Sequence, residues 1–191
     1  MRTKKWKAVV AAASLITTLT MSACWGAPQA ENMLPKKATA VASSSGKTLR
    51  IVATIEGGSG SLLAQAFVYE TSDKARISDS VFRQALTDAF TRSGMFSSVT
   101  TQGQADYELR ATLFQQRAST LGLSYTSARI GVRYVLVETA SKREVWRDTL
   151  YTDADSGFGI SAVAMQSEAN EGAMRANLEQ LVDLLSRLRL S

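Results

Sequence analysis

The sequence predicts an α+β two-layer sandwich: a mostly antiparallel sheet of about four to five strands with two helices on one face. Three observations carry this expectation. Runs of alternating apolar and polar residues recur along the chain, two segments step their apolar residues by three and four, and short polar turns join the runs. The expected order is β-(β)-α-β-β-β-α within one domain, residues 48 to 191.

The domain opens with a strand in which Leu49, Ile51, Ala53 and Ile55 alternate with Arg50, Val52 and Thr54. Glu56 to Ser61 is a glycine-rich turn. It has neither the Gly-Lys-Ser/Thr ending nor the G-x-G-x-x-G spacing of a phosphate-cradling loop. A second strand is expected over Leu62 to Tyr69. Ser78-Asp79-Ser80 offers N-caps for a helix ending at Gly94, with Val81, Phe82, Ala85, Leu86, Ala89 and Phe90 on one stripe. Phe96 and Val99 lead into the turn Gln102-Gly103-Gln104. Three strands follow, over Ala105 to Arg117, Ser127 to Thr139 and Glu144 to Thr152, as an antiparallel meander. Asp153 to Gly159 is expected as a loop. The final helix starts at Ser161 or Gln166 and reaches Leu188; Met174, Leu178, Leu181, Leu185 and Leu188 form its stripe. Ala169, Gly172, Ala173 and Ala176 keep its first half thin enough for close approach to the sheet. Asn170 and Asn177 border the stripe as rim residues or as contacts to a neighbouring chain.

The N-terminal 23 residues read as a signal peptide. Arg2, Lys4, Lys5 and Lys7 form a basic start, an apolar and hydroxylic run follows, and small residues precede Cys24, the only cysteine. Ala8 to Ala23 is too short and too rich in Ser and Thr for a bilayer span. Met21-Ser22-Ala23-Cys24 resembles the bacterial lipobox, which implies a diacylglyceryl group on the Cys24 thiol and an acylated new N-terminus. Two or three acyl chains anchor stably, where one does not. Within the same resemblance, an aspartate after the cysteine marks inner-membrane retention, and Trp25 stands there instead. The implied location is the outer membrane, lipid-anchored and facing the periplasm. Trp25 to Lys47 holds both prolines, Pro28 and Pro35, and the cluster Ser43-Ser44-Ser45-Gly46. With Cys24, this stretch (24–47) is expected to be a flexible tether, spanning roughly 75–80 Å when stretched.

Four of the 22 basic residues lie in the signal, leaving 18 against 17 acidic ones. The near-neutral remainder argues against a nucleic-acid partner. There is no histidine, and the one cysteine is assigned to lipid. Ser-His-Asp and Cys-His nucleophiles and the usual zinc sets are therefore missing, so no catalytic residue, metal or cofactor beyond the covalent lipid is expected. Glu168 with Glu171, and Asp153 with Asp155 and Asp148, read as solvated surface rather than as a carboxylate pair or a Ca²⁺ loop.

The segments Ala85-Leu86, Ser93-Gly94-Met95-Phe96, Val99 and Ala105-Asp106-Tyr107-Glu108-Leu109 resemble small periplasmic lipoproteins of Gram-negative envelopes. So do the hairpin Val132-Arg133-Tyr134 to Glu144-Val145-Trp146 and the helix around Ala169-Asn170-Glu171-Gly172-Ala173. These include ABC-type transport auxiliary lipoproteins, the lipopolysaccharide-assembly lipoprotein and activators of peptidoglycan synthases. Their fold is similar to the N-terminal domain of the Tol-system β-propeller protein. The resemblance implies a non-enzymatic accessory or assembly subunit in envelope maintenance or transport, docked to an envelope protein complex.

Alternation of the strands puts Arg129, Arg133, Val135 and Val137 on the face away from the helices, with Arg110 and Arg147 on neighbouring strands. This arginine-bearing face is the expected contact for a partner or an anion. Two alternatives stay open: a binding protein for an anionic envelope lipid or lipopolysaccharide, and a structural homo-oligomer joined at sheet edges. Charge reversal at Arg129 and Arg133 is expected to weaken partner capture and leave the fold intact.

Overall fold

The computed structural model describes residues 26–36, 45–56, 75–121, 125–159, 161–188 and 190. The signal segment with Cys24, the glycine-rich turn after Glu56 and the strand expected at Leu62 to Tyr69 lie outside them.

Strand β1 (Thr48–Ile55) buries Leu49, Ile51 and Ala53 and leaves Val52 and Thr54 exposed, as its alternation requires. Helix α1 (Asp79–Ser93) begins at Ser78, whose hydroxyl accepts from the Val81 N–H at 3.4 Å, and stops at Gly94 with φ 64°. A left-handed residue closes a helix, and only glycine takes it without steric cost. Phe82, Ala85, Leu86, Ala89 and Phe90 are buried. From α1, Phe90 meets Phe96 edge-on at 6.1 Å, and Phe96 meets Tyr107 on the sheet at 6.5 Å. Strands β2 (Ser98–Thr100), β3 (Tyr107–Leu121), β4 (Tyr125–Glu138) and β5 (Arg143–Ser156) follow, then helix α2 (Ala162–Ser186).

The sheet order is β2-β1-β3-β4-β5. The β3-β4-β5 meander is antiparallel, but β1 runs parallel to both of its neighbours. The sheet is therefore mixed. The cause is α1: a helix returning the chain to the same end makes the next strand parallel. β2, a three-residue edge against β1, is a strand that the sequence pattern does not announce. The last hairpin is longer than expected, because Asp153, Ala154 and Asp155 pair with Arg129, Ala128 and Ser127 instead of forming a loop.

Both helices lie on one face, α2 on β4 and β5, and α1 on β1. Met174, Leu178, Leu181 and Leu185 are buried, and the thin half of α2 sits close: a Cβ on Gly172 would lie 3.0 Å from that of Ala154. Asn170 and Asn177 are not rim residues; both are fully buried. Asn177 accepts from the Tyr134 hydroxyl at 2.7 Å and donates to Leu150 O and Thr152 Oγ1 at 3.2 and 3.1 Å. Burial pushes the Tyr134 hydroxyl far up, so it remains a donor. Asn177→Ala takes the acceptor from the buried Tyr134 hydroxyl and the amide donor from Leu150 O, and is expected to cost about 2–4 kcal/mol. Urea unfolding measures it, and a loss under about 1 kcal/mol would mean that water replaces the amide.

The tether expected over residues 24–47 is corrected for residues 26–36. This segment makes a single 3-10 turn, Ala30–Met33, that touches both α2 and α1, and Met33 is fully buried. Polar groups along α2 hold it. Ser167 donates to Gly26 O, Glu171 accepts from Gln29 N–H at 2.6 Å, Arg175 Nε donates to Asn32 O at 2.8 Å, and Glu179 accepts from Lys36 N–H at 2.9 Å. Glu171, read from sequence as solvated surface, is buried. Its carboxyl is pushed up by that burial, against the opposing pull of the Gln29 N–H, Asn32 and Arg175 and with the added push of Glu168.

A carboxyl raised in the folded state binds protons more tightly there than in the unfolded chain. This group's contribution to stability therefore increases as pH falls from neutral through its raised value toward the ordinary 4.5. Glu171→Gln keeps an acceptor without the charge. Its advantage over the parent in Tm is expected to shrink between pH 7 and pH 5, and a constant difference would contradict the assignment.

Candidate functional site

The face of the sheet away from the helices carries no second layer among the described residues. At its β4–β5 hairpin end lies a half-open concavity of about 610 Å³, lined by Arg50, Glu108, Arg110, Val135, Val137, Thr139, Lys142, Glu144 and Arg147. Strand register builds it. Glu108 pairs with Arg50 on one side and Val137 on the other, and Val137 pairs with Glu144. One step along, Arg110 pairs with Val52 and Val135, and Val135 with Arg147. Val137 thus lies between two carboxylates and Val135, next along the face, between two guanidiniums, and the two valines form the apolar floor.

Ion pairs fix the side chains. Glu108 receives Arg50 and, at 2.6 Å, Arg110 Nε; Glu144 receives Arg147 at 2.5 Å. Glu108 is buried beneath the two arginines, while Arg110 and Arg147 are exposed. Lys142 sits in the hairpin turn with φ 56°, which turns its backbone sharply at the rim. Four cations face two carboxylates, so the concavity is net positive around an apolar floor. Such a site suits a carboxylate or phosphate carried on an apolar or neutral body, because guanidiniums bind oxyanions in a bidentate fork.

Of the residues expected on this face, Arg110, Arg147, Val135 and Val137 come together here, and Arg129 and Arg133 do not. Arg129 is paired with Asp153 through two bonds of 2.7 and 3.1 Å. That pairing holds the Asp153 carboxyl below its ordinary range and pushes the Arg129 guanidinium up. Arg133 stands 5.3 Å over the Phe114 ring, with Glu56 at 3.6 Å. Phe114 is the extra residue of a bulge in β3 and meets Tyr151 edge-on at 5.7 Å, above Gly131. A Cβ on Gly131 would lie 2.9 Å from Phe114 Cζ and 3.1 Å from Tyr151 Cε1, so glycine is needed for this close packing.

Arg50, Glu108, Lys142 and Glu144 were not singled out from sequence. Glu108 and Arg110, two apart, already share a strand face, and Arg50 follows from β1 once its neighbour is known. Glu144 and Arg147 are three apart and would face opposite ways in a regular strand. The register shift opposite Leu136 and Val137 brings both to one side. Among the described residues, no group of three or more His, Cys, Asp and Glu is placed to hold a metal ion.

No protein-family model matches the chain, and no curated protein matches it either. Solved structures do. A Xanthomonas campestris protein described as DUF330 superimposes with a TM-score of 0.57 at 17% identity, over 80% of this chain and 90% of that one. A putative lipoprotein from Caulobacter crescentus gives 0.42 at 14%, over 75% and 93%. A minor lipoprotein from Acinetobacter baumannii gives 0.45 at 14%, over 74% and 93%. At 17% identity the likeness to the Xanthomonas protein is one of fold alone.

Proposed function

We propose that this protein is a non-enzymatic lipoprotein of the bacterial envelope, an accessory or assembly subunit for an envelope protein complex. It is anchored through Cys24 in the outer membrane and faces the periplasm. The observation that carries this reading is the concavity on the helix-free sheet face, where Arg50, Arg110, Lys142 and Arg147 surround Val135 and Val137. Its opening suits an acidic side-chain cluster on a partner surface better than an acyl chain, whose burial needs a deep apolar lining. The lipobox-like Met21-Ser22-Ala23-Cys24 supports the anchor, and the lack of histidine supports a binding role over a catalytic one.

In-cell crosslinking of the tagged chain, followed by membrane solubilisation and identification of captured proteins, tests the reading. One stoichiometric envelope protein is the expected result. Capture of anionic lipid or lipopolysaccharide alone would move the assignment to a lipid-binding protein, and capture of the chain alone to a self-assembling one.

A further inference from the structure

The end of the domain opposite the concavity gathers features that the binding site does not use. Gly26 is fixed there: Ser167 donates to its carbonyl, and its α-carbon lies so close to Val163 that a Cβ would come within 2.9 Å of Val163 Cγ1. Gly26 has φ 110°, a conformation that favours glycine. Val163 and Ser167 belong to the first turns of α2. The loop that leads into α2 carries Phe158, which is 79% exposed, the most exposed of the large hydrophobic residues described. Thr126 pairs with Ser156 at the same end, so Tyr125, 41% exposed, stands beside that loop.

Cys24 is two residues from Gly26, so its α-carbon is tied within about 7 Å of Gly26, which itself packs on the first turns of α2. Once acylated, the chain has no slack to lift this end from the bilayer surface. A solvent-facing phenylalanine in the loop that enters the same end of α2 is then within reach of the headgroup layer, where aromatic rings partition favourably. We infer that Phe158 and Tyr125 form a membrane-seating face around Gly26, which inserts into the headgroup layer of the leaflet holding the Cys24 lipid. The inference rests on the lipoprotein reading above. It also sets an orientation. From Tyr125 to Val137 strand β4 rises about 40 Å, so the concavity lies at the end of the sheet far from the seating face.

The test uses the full-length acylated protein in its own membranes, with a photoreactive phenylalanine analogue at position 158, 125 or 139. Thr139 lies on the concavity rim and serves as the far-end reference. Irradiation should give lipid adducts at 158 and 125 in yields on the order of tenfold above those at 139. Mass analysis of the N-terminal peptide reports acylation of Cys24 in the same sample. An acylated protein with no lipid adducts at 158, or with equal yields at 139, overturns the seating face and leaves the lipoprotein reading standing. Adducts from 158 to a second copy overturn it as well, and assign the face to self-association. An unmodified Cys24 overturns both.

Discussion

Cys24→Ser is expected to move the protein almost completely from the membrane pellet to the soluble periplasmic fraction. Two or three buried acyl chains hold a protein stably, and nothing else described here substitutes for them: Phe158 and Tyr125 offer only two exposed side chains. The fold should be unaffected, because the contacts that pack residues 26–36 against α2 all lie after the substituted position. Thermal melts of the soluble variant should therefore keep the Tm of the detergent-solubilised parent stripped of lipid. Retention of the serine variant in the pellet would show that the domain itself binds the membrane or a membrane protein tightly. A large drop in Tm would show that residues before Gly26 belong to the folded body.

The second large effect is expected at the concavity. Arg110→Glu with Arg147→Glu turns four cations and two carboxylates into two and four, reversing the sign of the site. Capture of an acidic partner should fall roughly 10- to 100-fold, the range that close interfacial charges reach. Arg110→Gln with Arg147→Gln leaves Glu108 paired with Arg50 and should give a smaller loss in the same direction. Arg129→Glu and Arg133→Glu probe the rest of the face. They are expected to weaken capture less, since Arg129 is already neutralised by Asp153 and Arg133 is engaged with Phe114 and Glu56. Partner yield after crosslinking, normalised to protein in the pellet, is the measurement. A charge-insensitive yield for both concavity doubles would remove the site from the interface.

Much of the architecture was legible because burial imposes periods. The stripe of α1, its Ser78 and Gly94 boundaries, and the alternation of β1, β3 and β4 all follow from one face of each element meeting the core. The direction of β1 was not legible from alternation, which looks the same in parallel and antiparallel pairs with one bare face. The crossover through α1 is what sets it. Residues 26–36 resemble a linker by their prolines and absence of period, yet Met33 fills the groove between the helices from one short turn. A single anchoring side chain leaves no periodic trace. Asn177 was misplaced for a related reason. A polar residue inside an apolar stripe reads as rim, and only the facing Tyr134 shows that its amide has a buried partner.

The candidate site was legible in part, through Arg110, Arg147 and the outward valines. The remainder depends on two irregularities. The residue inserted at the bulge in β3, Phe114, engages Arg133, and the shift in β5 brings Glu144 beside Arg147. Bulges insert a residue without changing composition, so spacing rules fail across them. The membrane-seating face was not legible at all. It depends on Gly26 packing on the first turns of α2, the helix that the Phe158 loop enters, and on the pairing of Thr126 with Ser156, which no spacing in the sequence announces.

The most direct test of the central claim places a photoreactive residue at Thr139 in the acylated protein and irradiates living cells. One discrete protein adduct is expected from this position. It should be lost in the Arg110→Glu, Arg147→Glu background, with little lipid captured. An adduct dominated by lipid or lipopolysaccharide, or a protein adduct indifferent to the charge reversal, would contradict it.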